Sequence, residues 1–247
     1  MTTVKEFNRF GEELEENLQL RTSPVAVKML AKKSEIPVGA LRPKEDRNYH
    51  LAQCQAFAMS RRNGTTIAML KEDHWCPAAL MAYGMVPSPK GRNPTKMHPY
   101  ECFEEGKYIG ILTAPLKSAA FKPDVIIVYP NTAQLRSLLM SFSAEEGAQV
   151  NGRFFPPSCA HAVVTPMQKG GYWVVVPDPG EWQRALCEEG EMMFALPAEK
   201  LPVMMEGLNK AKEMEFAYRN HRYFMQGDFP RPDFYKAMFK SWGLEDY

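Results

Sequence analysis

The stretch PDVIIVYPNTAQLRSLLMSFSAEEG, residues 123–147, joins an unbroken apolar run to a polar step and then to a segment of helical composition. Residues 124–130 read as a buried strand, because a near-continuous β-branched run suits a sheet covered on both faces. Asn131-Thr132 then supply side chains able to cap the helix expected over 133–147. This strand–loop–helix unit predicts an α/β or α+β fold, with a central mixed sheet flanked by helices.

Working outward, the remaining strands are expected at 24–30 (of alternating character), 65–70, 108–113, 172–176 and 192–196. An amphipathic helix over 3–20 carries Val4, Phe7, Phe10, Leu14 and Leu18 at helical spacing, with glutamates mostly on its other face. Further helices are expected over 49–62, ended by Asn63-Gly64, from Cys76-Pro77 to Gly84, weakly over 100–106, over 159–167 with Ser158 as cap, and over 198–217. Residues 31–47, the proline-rich 86–99 and the segment PDPGEWQ, 177–183, are expected to be loops.

Residues 1–217 form one expected domain, and 218–247 a helical, aromatic C-terminal extension. Its Tyr218, Tyr223, Phe224, Phe229, Phe234, Tyr235, Phe239 and Trp242 are more aromatic surface than a lone terminal segment leaves in water. Packing or a subunit contact is expected there, hence a homo-oligomer.

Composition narrows the function classes. With 247 residues, 45% of them hydrophobic, the chain can bury a sizeable core. Thirty basic against twenty-nine acidic residues, in no long block of either sign, imply neither nucleic acid nor an anionic membrane surface as partner. The acidic, amphipathic start lacks the pattern of a signal peptide, and runs such as VIIVY are far too short to cross a bilayer. A cytoplasmic location is the expectation. Five cysteines in a reducing compartment are then better read as free thiols or metal ligands than as disulfides.

Three of these cysteines stand out. Cys76 and Cys159 are expected at helix amino ends, where free N–H groups and a partial positive charge favour thiolate, the form that binds metal. Cys54 lies twenty-two positions before Cys76, a span that lets a helix and a returning strand bring the two thiols together. The competing reading is that cysteine is a small hydrophobe that fills cores. Cys102 and Cys187, beside carboxylates, suit that role better. His74 and His161 each lie two residues from one of the three thiols and are candidate further ligands or bases.

An ordered set of motifs gives a resemblance. Cys54 with Ser60-Arg61-Arg62-Asn63-Gly64, then His74-Trp75-Cys76-Pro77-Ala78-Ala79, Ala114-Pro115-Leu116, Pro123-Asp124-Val125, Asn131-Thr132-Ala133-Gln134, Ser158-Cys159-Ala160, Pro179-Gly180-Glu181 and Phe194-Ala195-Leu196-Pro197 stand in one order. Over roughly residues 20–210 the chain resembles the domain of unknown function 169 family. Its recurrent cysteines correspond to Cys54, Cys76 and Cys159, and the resemblance implies no stated activity. Where many relatives follow Pro-Gly-Glu with an arginine, this chain has Trp182.

Four uses of the thiols are weighed. The first is an iron–sulfur cluster, [4Fe–4S], held by Cys54, Cys76 and Cys159, with Arg61, Gln134 and Glu181 around it and one iron open to a small molecule, Lewis-acid chemistry or a redox partner. The second is structural zinc, completed by His74 or His161. The third is a metal-free thiolate acting as nucleophile. The fourth is an organic cofactor among the methionines and aromatics. No phosphate-binding glycine loop supports a nucleotide role.

Overall fold

The structure is a computed structural model that describes residues 2–87, 101–142, 148–213, 231 and 233–244. Its sheet is built from β1 (Val25–Leu30), β2 (Ile67–Leu70), β3 (Gly110–Pro115), β4 (Val125–Val128), β5 (Val150–Arg153), β6 (Tyr172–Val175) and β7 (Met193–Pro197), in the order β2-β3-β1-β4-β7-β6-β5. Each neighbouring pair is antiparallel except β5 and β6, so the sheet is mixed and the fold is α+β.

Helices cover both faces. On one lie α1 (Val4–Leu18), α5 (Thr132–Ser141) and α8 (Leu201–Glu213); on the other lie α3 (Gln53–Asn63), α4 (Pro77–Ala82), α6 (Ser158–Lys169) and α7 (Pro179–Ala185). Strand residues alternate between the two cores, as the period of a strand requires: Val25, Val27 and Met29 join one, Ala26 and Leu30 the other. Short α2 (Pro43–Arg47) lies near the β2 edge, and α9 (Asp233–Ser241) closes the described chain.

The unit 123–147 behaves as its sequence requires. Asn131 caps α5, its Oδ1 accepting from Gln134 N at 2.9 Å while Gln134 Oε1 accepts from Asn131 N at 2.8 Å. Residues 143–147 lie outside the described residues. β1 departs from an alternating strand. It pairs on both edges beneath helices on both faces, so five of its six residues are buried.

Other elements differ from expectation. Residues 101–106 are not helical: Phe103 N donates to Ala82 O and Gly106 N to Gly84 O, which uses their backbone against the end of α4. Gly84 permits this approach, since at φ +69° a Cβ would stand 2.4 Å from Glu104 O. β3 starts two residues later than expected and runs to Pro115. β5, Val-Asn-Gly-Arg, has no apolar run because it is an edge strand with exposed side chains. Residues 31–47 contain the helical turn α2, and most of the loop 86–99 lies outside the described residues.

A 3-10 turn over 198–200 precedes α8, whose expected continuation past 213 also lies outside them. None of α9 is buried, and Phe234, Tyr235, Met238 and Trp242 are exposed. No helix of the described residues is long and apolar enough to cross a membrane.

One contact tests this packing. α8 meets the carbonyl end of α5 at Gly207, where an added Cβ would stand 1.9 Å from Ser141 O. Gly207→Ala should therefore destabilise by about 1–3 kcal/mol in urea denaturation, although alanine is intrinsically favoured in a helix by about 1 kcal/mol. Gly190→Ala meets nothing within 4 Å and should be neutral in the same assay.

Candidate functional site

Four helix amino ends point their chemistry into one core. α3 begins at Gln53 rather than near Tyr49, because Leu51 is drawn into a bridge with His74: Leu51 N donates to Asp73 O at 3.0 Å and Trp75 N to Leu51 O at 2.8 Å. The entries to α3 and α4 thus run side by side. Cys54 falls in the first turn of α3 and Cys76 is the N-cap of α4, with Pro77 at N1. All three singled-out cysteines therefore sit at helix amino ends, Cys54 included.

The second pair of ends is tied by Ser158 and Asp178. Ser158 N donates to Asp178 Oδ2 at 2.8 Å, and Asp178 N donates to Ser158 Oγ at 3.3 Å. Asp178 Oδ1 also accepts from Gly180 N at 2.7 Å and Glu181 N at 3.3 Å, capping α7. α7 occupies the segment expected to be a loop; aspartate followed by proline was its signal, an N-cap and an N1 residue hidden in a Pro-Gly turn composition. Ser158 is the first residue of α6 rather than its cap, which leaves Cys159 at the second position.

Burial and neighbouring charge set the state of these groups. Cys54 is pushed up to about 12 by burial, then by Glu181, Asp178 and Cys76. Cys159 is pushed well above its ordinary value by burial, then by Cys54, Glu181, Asp178 and Cys76. Tyr83, wholly buried, is raised by burial and then by Cys159, Cys76 and Cys54, and its hydroxyl donates to Cys159 O at 3.3 Å. The three thiols are thus within electrostatic reach of one another. The thiolate bias expected from the helix end is overturned for Cys159, and Cys54 is raised likewise, because desolvation and the adjacent carboxyls outweigh the helix-end field. Cys54 Sγ also lies 3.6 Å from Gly180 O, so it faces the first turn of α7.

Glu181 is fully buried and raised to about 8 by its burial, then by Asp178. Its Oε2 accepts from Tyr129 OH at 3.2 Å, and its Oε1 has no partner among the described residues. Gln53, wholly buried beside Cys54, has both amide atoms without a partner there, as has the buried His74 with both ring nitrogens. Burial lowers His74 to about 4, against the pull of Asp73, so it is neutral. His161 instead faces Glu101, with Nδ1 3.6 Å from its carboxylate.

Among the described residues no group of three or more His, Cys, Asp and Glu is arranged to hold a metal ion. A cluster gives each thiolate its own iron, so it does not require the sulfurs to close on a single point. Soft thiols with unpartnered buried polar atoms beside them are the donor chemistry such a group uses. On that chemistry Cys54, Cys76 and Cys159 fit it.

The family described as uncharacterised ArCR, domain of unknown function 169, matches residues 13–101 and 95–207. The chain belongs to this family. No curated protein and no solved structure matches it. In this domain of unknown function 169 protein the matched region includes the three cysteines, Asp178 and Glu181, and ends before α9.

The other site residues divide. Arg61 is buried, its guanidinium bonded to Glu191 at 3.0 and 3.1 Å and lying 4.1 Å from the Tyr129 ring centroid. It reaches the thiol core through Tyr129 and Glu181. Gln134 serves elsewhere, since its Nε2 donates to Leu18 O and Gln19 O, both at 3.0 Å, and its Oε1 caps α5. It lines a separate cavity of about 250 Å³ with Arg21, Tyr129 and Glu191. A larger cavity, about 500 Å³, is bordered by Phe7, Lys122 and Asp124 and by none of the three cysteines.

Cys187 is buried in the same core and raised to about 12 by burial, then Glu191 and Glu181. Cys102 is raised by burial and then by Glu101. Tyr83, Tyr129 and Asp178 were not singled out from sequence, and Ser158 only as a helix cap, since nothing local distinguishes a buried tyrosine that touches a thiol segment or an aspartate that ties two helices.

The Arg61–Glu191 pair gives a direct test of what holds the site's frame. Arg61→Leu should cost about 3 kcal/mol in urea denaturation, because it removes the buried partner of Glu191 and leaves only Arg62, at 3.8 Å, to offset that charge. Arg61→Leu combined with Glu191→Leu should recover much of that loss.

Proposed function

We propose that this protein is a cytoplasmic metalloprotein that binds an iron–sulfur cluster, of the [4Fe–4S] type, through Cys54, Cys76 and Cys159. The observation that carries the reading is three cysteines, each on the amino end of a different helix, with Cys54 and Cys159 buried in one core, half-buried Cys76 packed against it, and all three within electrostatic reach. Helix amino ends offer N–H groups and partial positive charge to an anionic cluster and its thiolates. A cluster would also relieve the arrangement's cost, since a cationic iron turns the mutual repulsion of thiolates and carboxylates into attraction.

Bound there, the cluster would supply electron transfer, or Lewis-acid binding of a small molecule at an iron without a cysteine. The raised Cys54 and Cys159 argue less for a metal-free nucleophile, which needs a lowered thiol. A second reading, structural zinc, draws support from His74, whose buried ring nitrogens have no partner among the described residues and which lies two positions from Cys76.

Anaerobic iron, sulfide and zinc analysis should find iron and sulfide in wild type and in Cys102→Ser. Each of Cys54→Ser, Cys76→Ser and Cys159→Ser should lose the cluster and its visible charge-transfer absorption. Zinc without sulfide would favour the second reading, and neither metal would reject both. The exposed apolar residues of α9 support a homo-oligomer. Light scattering should give a multimer for wild type and a smaller mass for Phe234→Ser with Trp242→Ser; a monomeric wild type rejects it.

A further inference from the structure

Three cysteines cover three corners of a four-iron cluster, and the chain carries a group suited to the fourth. Glu181 is the third residue of α7, the position from which a glutamate ordinarily reaches back to the N–H of its N-cap. That N–H, of Asp178, is already donated to Ser158 Oγ. The Glu181 side chain is released from the capping box and turned into the protein, where it is fully buried.

There the carboxyl is held on one side only. Tyr129 OH donates to Oε2 at 3.2 Å, and the nearby Arg61 guanidinium directs its hydrogen bonds to Glu191, Thr22 and the carbonyls of Ala185 and Leu186, not to Glu181. Oε1 has no partner among the described residues. A buried carboxyl oxygen without a hydrogen bond is costly unless something else takes its lone pairs. Gly180 O lies 3.6 Å from Cys54 Sγ, and the Glu181 carboxyl is close enough to raise both Cys54 and Cys159, so it stands beside the thiols.

We propose that Glu181 Oε1 is the protein ligand to the iron that Cys54, Cys76 and Cys159 leave uncovered. The proposal rests on the cluster reading above. Glu181 would take the place of a water on that iron, its proton leaving with the displaced water, and Tyr129 acts as a positioning residue that fixes which oxygen faces the metal. Oxygen ligation at one corner makes that iron the exchangeable one, with the carboxylate displaceable by a small anionic or hydroxylated ligand.

The test uses full-length protein loaded anaerobically with iron and sulfide. Electron–nuclear double resonance on the dithionite-reduced wild type, grown with glutamate carrying the heavy carbon isotope in its side-chain carboxyl, should show coupling of the cluster to that carbon. A loaded wild type without the coupling overturns the assignment. Ferricyanide oxidation, followed by iron counting and the electron paramagnetic resonance signal of the three-iron form, should remove the fourth iron several-fold faster from Glu181→Gln and Glu181→Ala than from wild type. Equal rates overturn it as well. The isotope experiment needs no variant and decides the matter should the variants fail to fold. A folded wild type that takes up no cluster rejects the cluster reading itself, whereas a loaded wild type lacking both effects rejects Glu181 alone.

Discussion

The reciprocal hydrogen bonds between Ser158 and Asp178 hold the site in register. One aspartate caps α7 through Oδ1 and receives the first N–H of α6 through Oδ2, while its own N–H goes to the Ser158 hydroxyl. Two helices that start twenty-one positions apart, at 158 and 179, are thereby locked at their amino ends. Cys159 and Glu181 inherit their placement from that lock. Orphan N–H groups at helix starts must find acceptors, and here one side chain satisfies both helices.

A second tie does the same for the other two thiol-bearing ends. Asp73, wholly buried, accepts from Arg42 Nε at 2.9 Å, from Lys44 N at 2.8 Å and from Leu70 N at 2.8 Å. It holds the turn after β2, whose carbonyl in turn receives Leu51 N ahead of α3. Two carboxylates in two turns, Asp73 buried and Asp178 half-buried, thus set where four helices begin. The consequence is a core face with thiols and a carboxyl in low dielectric, a placement that raises them and that hydrophobic packing alone would not favour.

Much of the frame was legible locally. The capping box at Asn131, the left-handed stop at Gly64 and Pro77 at the head of α4 depend on residues within a few positions, and each appears as its chemistry requires. β5 and α7 were not legible for the same reason in reverse. An exposed edge strand need not be apolar, and the Asp-Pro start of α7 was masked by a Pro-Gly pair that also suits a turn. The role of Gln134 escaped too, because its partners are carbonyls of residues 18 and 19.

Residue order was enough to settle the mixture of strands and helices and the capped starts of several helices, since these follow from composition and short-range hydrogen bonding. It took the folded chain to establish that the sheet is largely antiparallel, that Cys54 opens a helix instead of lying within one, and that burial beside Glu181 raises Cys54 and Cys159. Strand order and side-chain ionisation depend on groups distant in the chain and on the water they exclude, and no local pattern encodes either.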